Sequence, residues 1–169
     1  MRPWDRSIIL TDYPEILQAL IRGGVEFIVI GGVAGIAHGA ARLTLDVDVV
    51  YRRTLENYAR IEDVFAPIDA IPRGAPIGLP FRFDRETIKR GLNFTLRTKL
   101  GDIDLLGEVT GGGSYDDLLP YAVKAAAFGV ECWCLDLPML IQVKRAAGRP
   151  KDFEAIAELE AILEERGGL

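Results

Sequence analysis

The sequence predicts an α+β chain, a sheet with helices packed on it, and three observations lead there. Phe27-Ile28-Val29-Ile30 is a short, β-branched, uncharged run of the kind that forms a strand buried on both faces. Two later segments, residues 92–106 and 121–135, read as strand pairs folded about turns at Lys99-Leu100-Gly101 and Phe128-Gly129. Around them lie stretches whose apolar residues recur at helical spacing. With 169 residues, 49% of them hydrophobic and 27% charged, the chain is expected to make one domain spanning residues 1–169, large enough for such a sheet.

Taken in order, Thr11-Asp12 before Tyr13-Pro14-Glu15 is a helix start, with a capping side chain and a proline in the first turn. Ile16, Leu17, Leu20 and Ile21 form its expected buried stripe, and Gly23-Gly24 ends it. The 27–30 strand follows and stops at Gly31-Gly32. The small residues from Val33 to Ala41 then suit a helix lying close to a sheet. A strand-to-helix turn of this kind aims free backbone N–H groups at one point, where an anion can bind.

Leu45-Asp46-Val47-Asp48-Val49-Val50 has a period of two, so both carboxylates leave one face of a strand. Like charges so placed repel, and a divalent cation reverses that repulsion. A solvent-facing strand side is the plainer reading. Arg42, just upstream, can reach a phosphate or pair with Asp46 or Asp48. Thr44 is its neighbour in the same short segment. His38, the single histidine, has no catalytic partner in view and is assigned to packing or hydrogen bonding.

Residues 54–65 predict a helix with Leu55, Tyr58, Ile61 and Val64 or Phe65 inward. From Ala66 to Phe83, Pro67, Pro72, Pro76 and Pro80 with Gly74 and Gly78 exclude a regular element, leaving a substrate-facing flap or a plain surface excursion. Arg82, Arg85, Lys89 and Arg90 follow, either a polyanion contact or a solvated helix face. In the first strand pair Asp104 lies between Ile103 and Leu105, on a strand able to run beside the Asp46–Asp48 strand. It is the preferred third carboxylate for a two-metal site, with Asp102, nearer the turn, as second choice. Gly111-Gly112-Gly113 is a joint before a short helix at Ser114–Leu119. Asp136 caps a helix carrying Met139, Leu140, Val143 and Ala147. Gly148-Arg149-Pro150 breaks that helix, and a last one begins at Lys151 or Asp152 with Phe153, Ile156, Leu159 and Ile162 or Leu163 inward.

Composition bounds the function. A net charge of −5 and a pI near 5.0 argue against broad, nonspecific nucleic-acid binding, which needs many phosphate contacts. The sequence has no apolar run of about eighteen residues, and MRPWDRS at the start lacks a signal-peptide profile, so the expectation is a cytoplasmic protein with no membrane partner. Cys132 and Cys134, the only cysteines, are too few for a zinc site and are read as free thiols.

Together the motifs resemble the minimal nucleotidyltransferases of the DNA polymerase β superfamily, particularly the AbiEii toxin group. The similarity spans most of the chain: Gly31-Gly32, then Asp46-Val47-Asp48, then Ile103-Asp104-Leu105, and finally Lys144 to Asp152, which is similar to that group's K-x-x-x-x-R-x-K-D segment. The chain departs from it at Val33, where the toxin group has Ser or Thr.

The resemblance implies a mixed β-sheet flanked by helices, Mg²⁺ as cofactor, and transfer of a nucleoside monophosphate from an NTP to a hydroxyl acceptor: tRNA or other RNA, protein or small molecule. It also implies an antitoxin partner. Asp46, Asp48 and Asp104 would hold metal; Gly31, Gly32, Arg42, Thr44 and Lys144 would face the nucleotide. Asp152 would orient Lys144 or cap the last helix. A noncatalytic nucleotide-binding or toxin–antitoxin partner protein that keeps the fold is the second reading, motivated by Val33.

Overall fold

A capped helix opens the architecture. In this computed structural model, which describes residues 10–76 and 78–167, Asp12 accepts a hydrogen bond from the Glu15 N–H and starts α1 (Tyr13–Arg22). The MRPWDRS segment lies outside the described residues. β1 (Phe27–Ile30) is buried along its whole length, and α2 (Gly31–Ala37) follows with no intervening residue. This helix starts at the glycines themselves and ends earlier than the run of small residues suggests, because Gly39 takes a left-handed φ of 106° and turns the chain.

β2 (Asp46–Tyr51) carries the paired aspartates, and Thr54 caps α3 (Leu55–Phe65) through the Asn57 N–H. A 3₁₀ turn at Ala66–Ile68 and a two-residue strand, β3 (Ile71–Pro72), then interrupt the proline-rich segment, where the sequence predicts no regular structure. Pro72 fits because β3 is an edge strand, where a missing N–H is tolerated. α4 (Arg85–Arg90) is capped by Asp84 and leads into the hairpin β4 (Asn93–Thr98) and β5 (Gly101–Leu106). A small ribbon, β6 (Glu108–Val109) with β7 (Gly113–Ser114), precedes α5 (Tyr115–Leu118), where Ser114 and Asp117 close a capping box. The hairpin β8 (Ala122–Ala127) and β9 (Val130–Leu135) and the helices α6 (Leu137–Ala147) and α7 (Pro150–Glu165) complete the described chain.

Among the described residues seven strands form one mixed sheet in the order β3-β4-β5-β2-β1-β9-β8. β1 is antiparallel to β2 and parallel to β9, while β2 runs parallel to β5. One group of helices consists of α1, α3 and α4, and another of α2, α6 and α7, so the central strands have both faces covered. Among the described residues no helix is long and apolar enough to cross a membrane.

Three residues expected inside are outside: Ile21 is 44% exposed, Leu55 66% and Phe153 63%. Each lies about 90–105° around its helix from the centre of the stripe that is buried, at the ~100° per residue of an α-helix. In α7 that stripe is Asp152, Ile156 and Leu159, so the phase of the helix is set to bury a carboxylate and leave a phenylalanine in solvent. His38 has the packing role expected of it: its Nε2 donates to the Leu135 carbonyl at 2.7 Å, and its Nδ1 accepts from Arg166 at 3.2 Å. Cys132 and Cys134 are buried free thiols.

Asn57 is a fully buried polar residue that periodicity does not single out. Its amide donates to the carbonyls of Glu26 at 3.1 Å and Arg52 at 2.8 Å, and its carbonyl accepts the Glu26 N–H at 2.8 Å. It therefore joins α3 to the segments flanking β1 and β2. Replacing Asn57 with Ala leaves the Glu26 N–H and the Arg52 carbonyl without this partner, while the Glu26 carbonyl keeps the Arg52 N–H at 3.1 Å, and should cost about 2–3 kcal/mol. Urea denaturation with an unchanged m-value is the check, and a loss below about 1 kcal/mol would mean water replaces the amide.

Candidate active site

The site is built on the parallel pairing of β2 and β5. Their register sets Asp46 beside Asp102 and Asp48 beside Asp104, while Val47 and Ile103 fill the opposite face. Alternation along each strand keeps all four carboxylates on one side. Oxygens of Asp46, Asp48 and Asp104 lie within 4.8 Å of one another. Asp102 is turned away to cations: Arg97 Nε reaches it at 3.1 Å and Arg73 Nε at 3.2 Å.

The glycine turn closes over Asp48. Gly31 has a φ of 66°, and a Cβ there would overlap the Asp48 carboxylate, so this position requires glycine on both counts. At Gly32 a Cβ would come within 2.8 Å of the Thr44 hydroxyl. Thr44 is held by its own hydrogen bond to the Asp46 carbonyl at 3.1 Å and by the Tyr13 hydroxyl, which donates to the Thr44 carbonyl. Val33 points elsewhere: it is fully buried in the core.

α6 and α7 supply the opposite wall. Arg149 grips Asp152 with two hydrogen bonds, Nε at 2.8 Å and Nη2 at 3.2 Å. Asp152, in the first turn of α7, is only 3% exposed; its carboxylate takes the Arg149 guanidinium and a backbone hydrogen bond from Arg149, the N-cap of that helix. Lys144 lines the same space. Arg42 meets neither Asp46 nor Asp48; its guanidinium pairs with Glu154 of α7 at 3.0 Å, the nearer anion, while the residue still borders the cavity. Gly31, Gly32, Thr44, Asp46, Asp48, Asp104, Lys144 and Asp152 all open onto one cavity of about 480 Å³. A second hollow of about 360 Å³ shares Asp48, Asp104, Lys144 and Arg149 with it. Of the basic run after the proline-rich loop, Arg85 is committed to Glu62 at 3.1 Å.

Burial and neighbouring charge both act on these groups. Burial, then the charges of Asp46 and Asp104 and a hydrogen bond with Asp104, push the Asp48 carboxyl well above its ordinary range, with Lys144 opposing. Asp46 is also raised, by burial and by Asp104, against the pull of Arg73. Burial lowers Lys144, and Asp152 and Asp48 offset part of that. For Asp152, burial is the largest effect and would raise it, but the Arg149 hydrogen bonds and the charges of Arg149 and Lys144 together win and hold it low. Among the described residues Oδ1 of Asp104 is a buried acceptor with no aligned hydrogen bond, its contact being the ion pair with Arg73 Nη2 at 3.0 Å. Three hard oxygen donors, their mutual repulsion and an acceptor left without an aligned hydrogen bond fit a divalent cation.

Two residues of the site escape sequence reasoning. Arg149 sits inside the motif that carries the resemblance, and its i,i+3 spacing to Asp152 at a helix start is the local signal that could have found the pair. Arg73, from the proline-rich loop, reaches three of the four strand carboxylates, and no local signal marks it.

Comparison with known proteins gives a fold-level likeness. No family profile matches the chain, and no curated protein matches it. Among solved structures, a "putative nucleotidyltransferase" (TM1012) from Thermotoga maritima superposes with a TM-score of 0.54 at 17% identity, covering 95% of this chain and 98% of that one. The fold is therefore nucleotidyltransferase-like, and its acidic triad stands where the parallel strands β2 and β5 meet.

The raised Asp48 carboxyl has a consequence for stability. A folded-state pKa above the unfolded value of 3.8 means the native state holds the proton better; that contribution is full below the unfolded value and disappears as pH rises through the folded one. Asp48→Asn holds the position in its neutral form and so removes that loss at high pH. In EDTA the variant should be more stable than the parent chain at pH 7.5, with the gap closing toward pH 4, as followed by thermal denaturation across that range. A variant no more stable at pH 7.5 would show that nearby cations already neutralise the cluster.

Proposed function

We propose that residues 1–169 work as one Mg²⁺-dependent nucleotidyltransferase unit, moving a nucleoside monophosphate from an NTP to a hydroxyl acceptor. The observation that carries this reading is the convergence of Asp46, Asp48 and Asp104 in a cavity that Lys144 and Arg149 also line. A two-cation phosphoryl-transfer site needs carboxylates shared between the ions: Asp46 and Asp48 would hold both, with Asp104 completing the second position. Mg²⁺ there supplies charge stabilisation for the triphosphate and acidifies the acceptor hydroxyl.

The acceptor oxygen bonds to the α-phosphorus, the bond from that phosphorus to the bridging oxygen breaks, and pyrophosphate leaves with the electron pair. The acceptor proton passes to a carboxylate of the cluster. Lys144 and Arg149 face the departing phosphates, Asp152 fixes Arg149, and Gly31 and Gly32 let the chain approach the nucleotide without side-chain hindrance. Arg42 and Thr44 complete the rim on that side.

The motif from Lys144 to Asp152 supports placement beside the AbiEii toxin group, and with it a cytoplasmic toxin–antitoxin role, an antitoxin partner and an acceptor that is RNA, protein or a small molecule. Val33, which motivates a noncatalytic reading, lies in the core, so a hydroxyl there would not face the cavity. Thr44 already places a hydroxyl beside Gly32. The geometry thus gives the noncatalytic alternative no observation of its own.

Incubation with α-labelled NTPs, Mg²⁺ and a bacterial extract should transfer label to an acceptor, and Asp46→Ala or Asp48→Ala should reduce it at least about a thousandfold, about 4 kcal/mol of transition-state stabilisation. Labelling that survives both substitutions would end the proposal. Lys144→Ala should raise the NTP concentration for half-maximal labelling about tenfold, the scale of one lost charge contact. An unchanged concentration dependence would remove Lys144 from the nucleotide contacts.

A further inference from the structure

Arg73 is the residue whose position the proposed chemistry leaves unexplained. The edge pairing of β3 with β4 carries it to the site: its backbone N–H donates to the Thr95 carbonyl at 2.9 Å, and its guanidinium lies across the acidic face. Nη1 is 3.5 Å from Asp46, Nε 3.2 Å from Asp102 and Nη2 3.0 Å from Asp104. Of the triad, Asp48 has no ion pair with it.

The quality of these contacts decides their meaning. Arg149 meets Asp152, and Arg97 meets Asp102, through aligned hydrogen bonds. Arg73 does not do this with the carboxylates. Its one hydrogen bond runs from Nη2 to the Leu96 carbonyl at 2.9 Å, and both its Nε and the Asp104 Oδ1 facing it are buried without a hydrogen-bond partner. A guanidinium built to hold a carboxylate permanently presents its paired N–H groups to both oxygens. Here Nη2 meets Asp104 Oδ1 at 3.0 Å and Nε meets Asp102 at 3.2 Å as single, misaligned ion-pair contacts, so the guanidinium grips no carboxylate through both oxygens. Arg73 is thus placed on the Asp46–Asp104 side of the cluster, where a cation bound by both would also sit.

We propose that Arg73 is a built-in competitor for that position: it neutralises the Asp46–Asp104 side when no divalent ion is bound, and an ion ligated by Asp104 must displace it. This rests on the metal-binding reading above. The sign follows from electrostatics, since a fixed positive charge beside the ligands opposes a second cation, and the carboxylates bind that cation more tightly once the guanidinium is gone. The proline-rich segment then has a defined task, that of carrying a counter-charge to the second metal position.

The test measures Mn²⁺ binding to nucleotide-free protein by calorimetry and by the electron paramagnetic resonance of free Mn²⁺, with no turnover involved. Arg73→Gln should bind Mn²⁺ about tenfold more tightly than the parent chain, while Arg97→Gln, which removes a cation bonded only to Asp102, should change affinity less than about twofold. Equal or weaker binding by Arg73→Gln overturns the competitor role and makes Arg73 a positioning residue for Asp104. In that case the metal site itself still stands, provided that the parent chain binds Mn²⁺ and Asp48→Asn does not. Binding by none of the proteins overturns both readings. Should Arg73→Gln not fold, the parent chain answers alone: a crystal structure with Mn²⁺ should show the guanidinium withdrawn from Asp104, and an ion on Asp46 and Asp104 with Arg73 still in contact overturns the proposal.

Discussion

Everything at this site depends on one parallel pairing, β2 against β5, in a register that sets Asp46 beside Asp102 and Asp48 beside Asp104. Four carboxylates on one patch of sheet is a costly arrangement in the absence of counter-charge, and burial first, then the charges of their neighbours, push Asp46 and Asp48 upward. A slip of one residue would turn half of the carboxylates into the core and half of the aliphatic side chains into the cavity. The apolar face, with Val47, Val49, Ile103 and Leu105 all fully buried, therefore enforces the polar one.

The surrounding elements can be understood as answers to that concentration of charge. Arg97 and Arg73 take Asp102; Arg73 spreads over Asp46 and Asp104; Lys144 opposes the rise of Asp48. Asp152 holds Arg149 in turn, at the start of a helix whose buried stripe is rotated to take a carboxylate inward and leave Phe153 outside. The Arg145–Glu160 ion pair joins α6 to α7. Stability is given up locally for a cluster that a cation can complete, the usual relation between a functional site and the fold that supports it.

The likeness to the Thermotoga maritima protein concerns the fold, and at 17% identity it carries no residue roles. The chemistry of the cavity stands on the side chains of this chain: oxygen donors close enough to share an ion, two cations opposite them, and a glycine turn that only glycine can make. Such a site defines a reaction class more tightly than it defines an acceptor.

By itself the sequence determined what is local. Period-two alternation put Asp46 and Asp48 on one face, capping residues and apolar spacing marked α1, α3 and α6, and the turn at Phe128-Gly129 marked the β8–β9 hairpin. It also made Asp104 the third carboxylate to look for, because Asp104 stands between two aliphatic residues on a strand. What only the tertiary structure decided is which distant groups meet. The register of β5 on β2, the meeting of Arg42 with Glu154 and the reach of Arg73 all depend on residues far apart in the chain. Side-chain direction along a strand or helix follows from backbone geometry, whereas the partner of a charged side chain is set by how whole elements pack. That is why the loop carrying Arg73 looked structureless from its prolines and became, in the fold, the carrier of the guanidinium that lies across Asp46, Asp102 and Asp104.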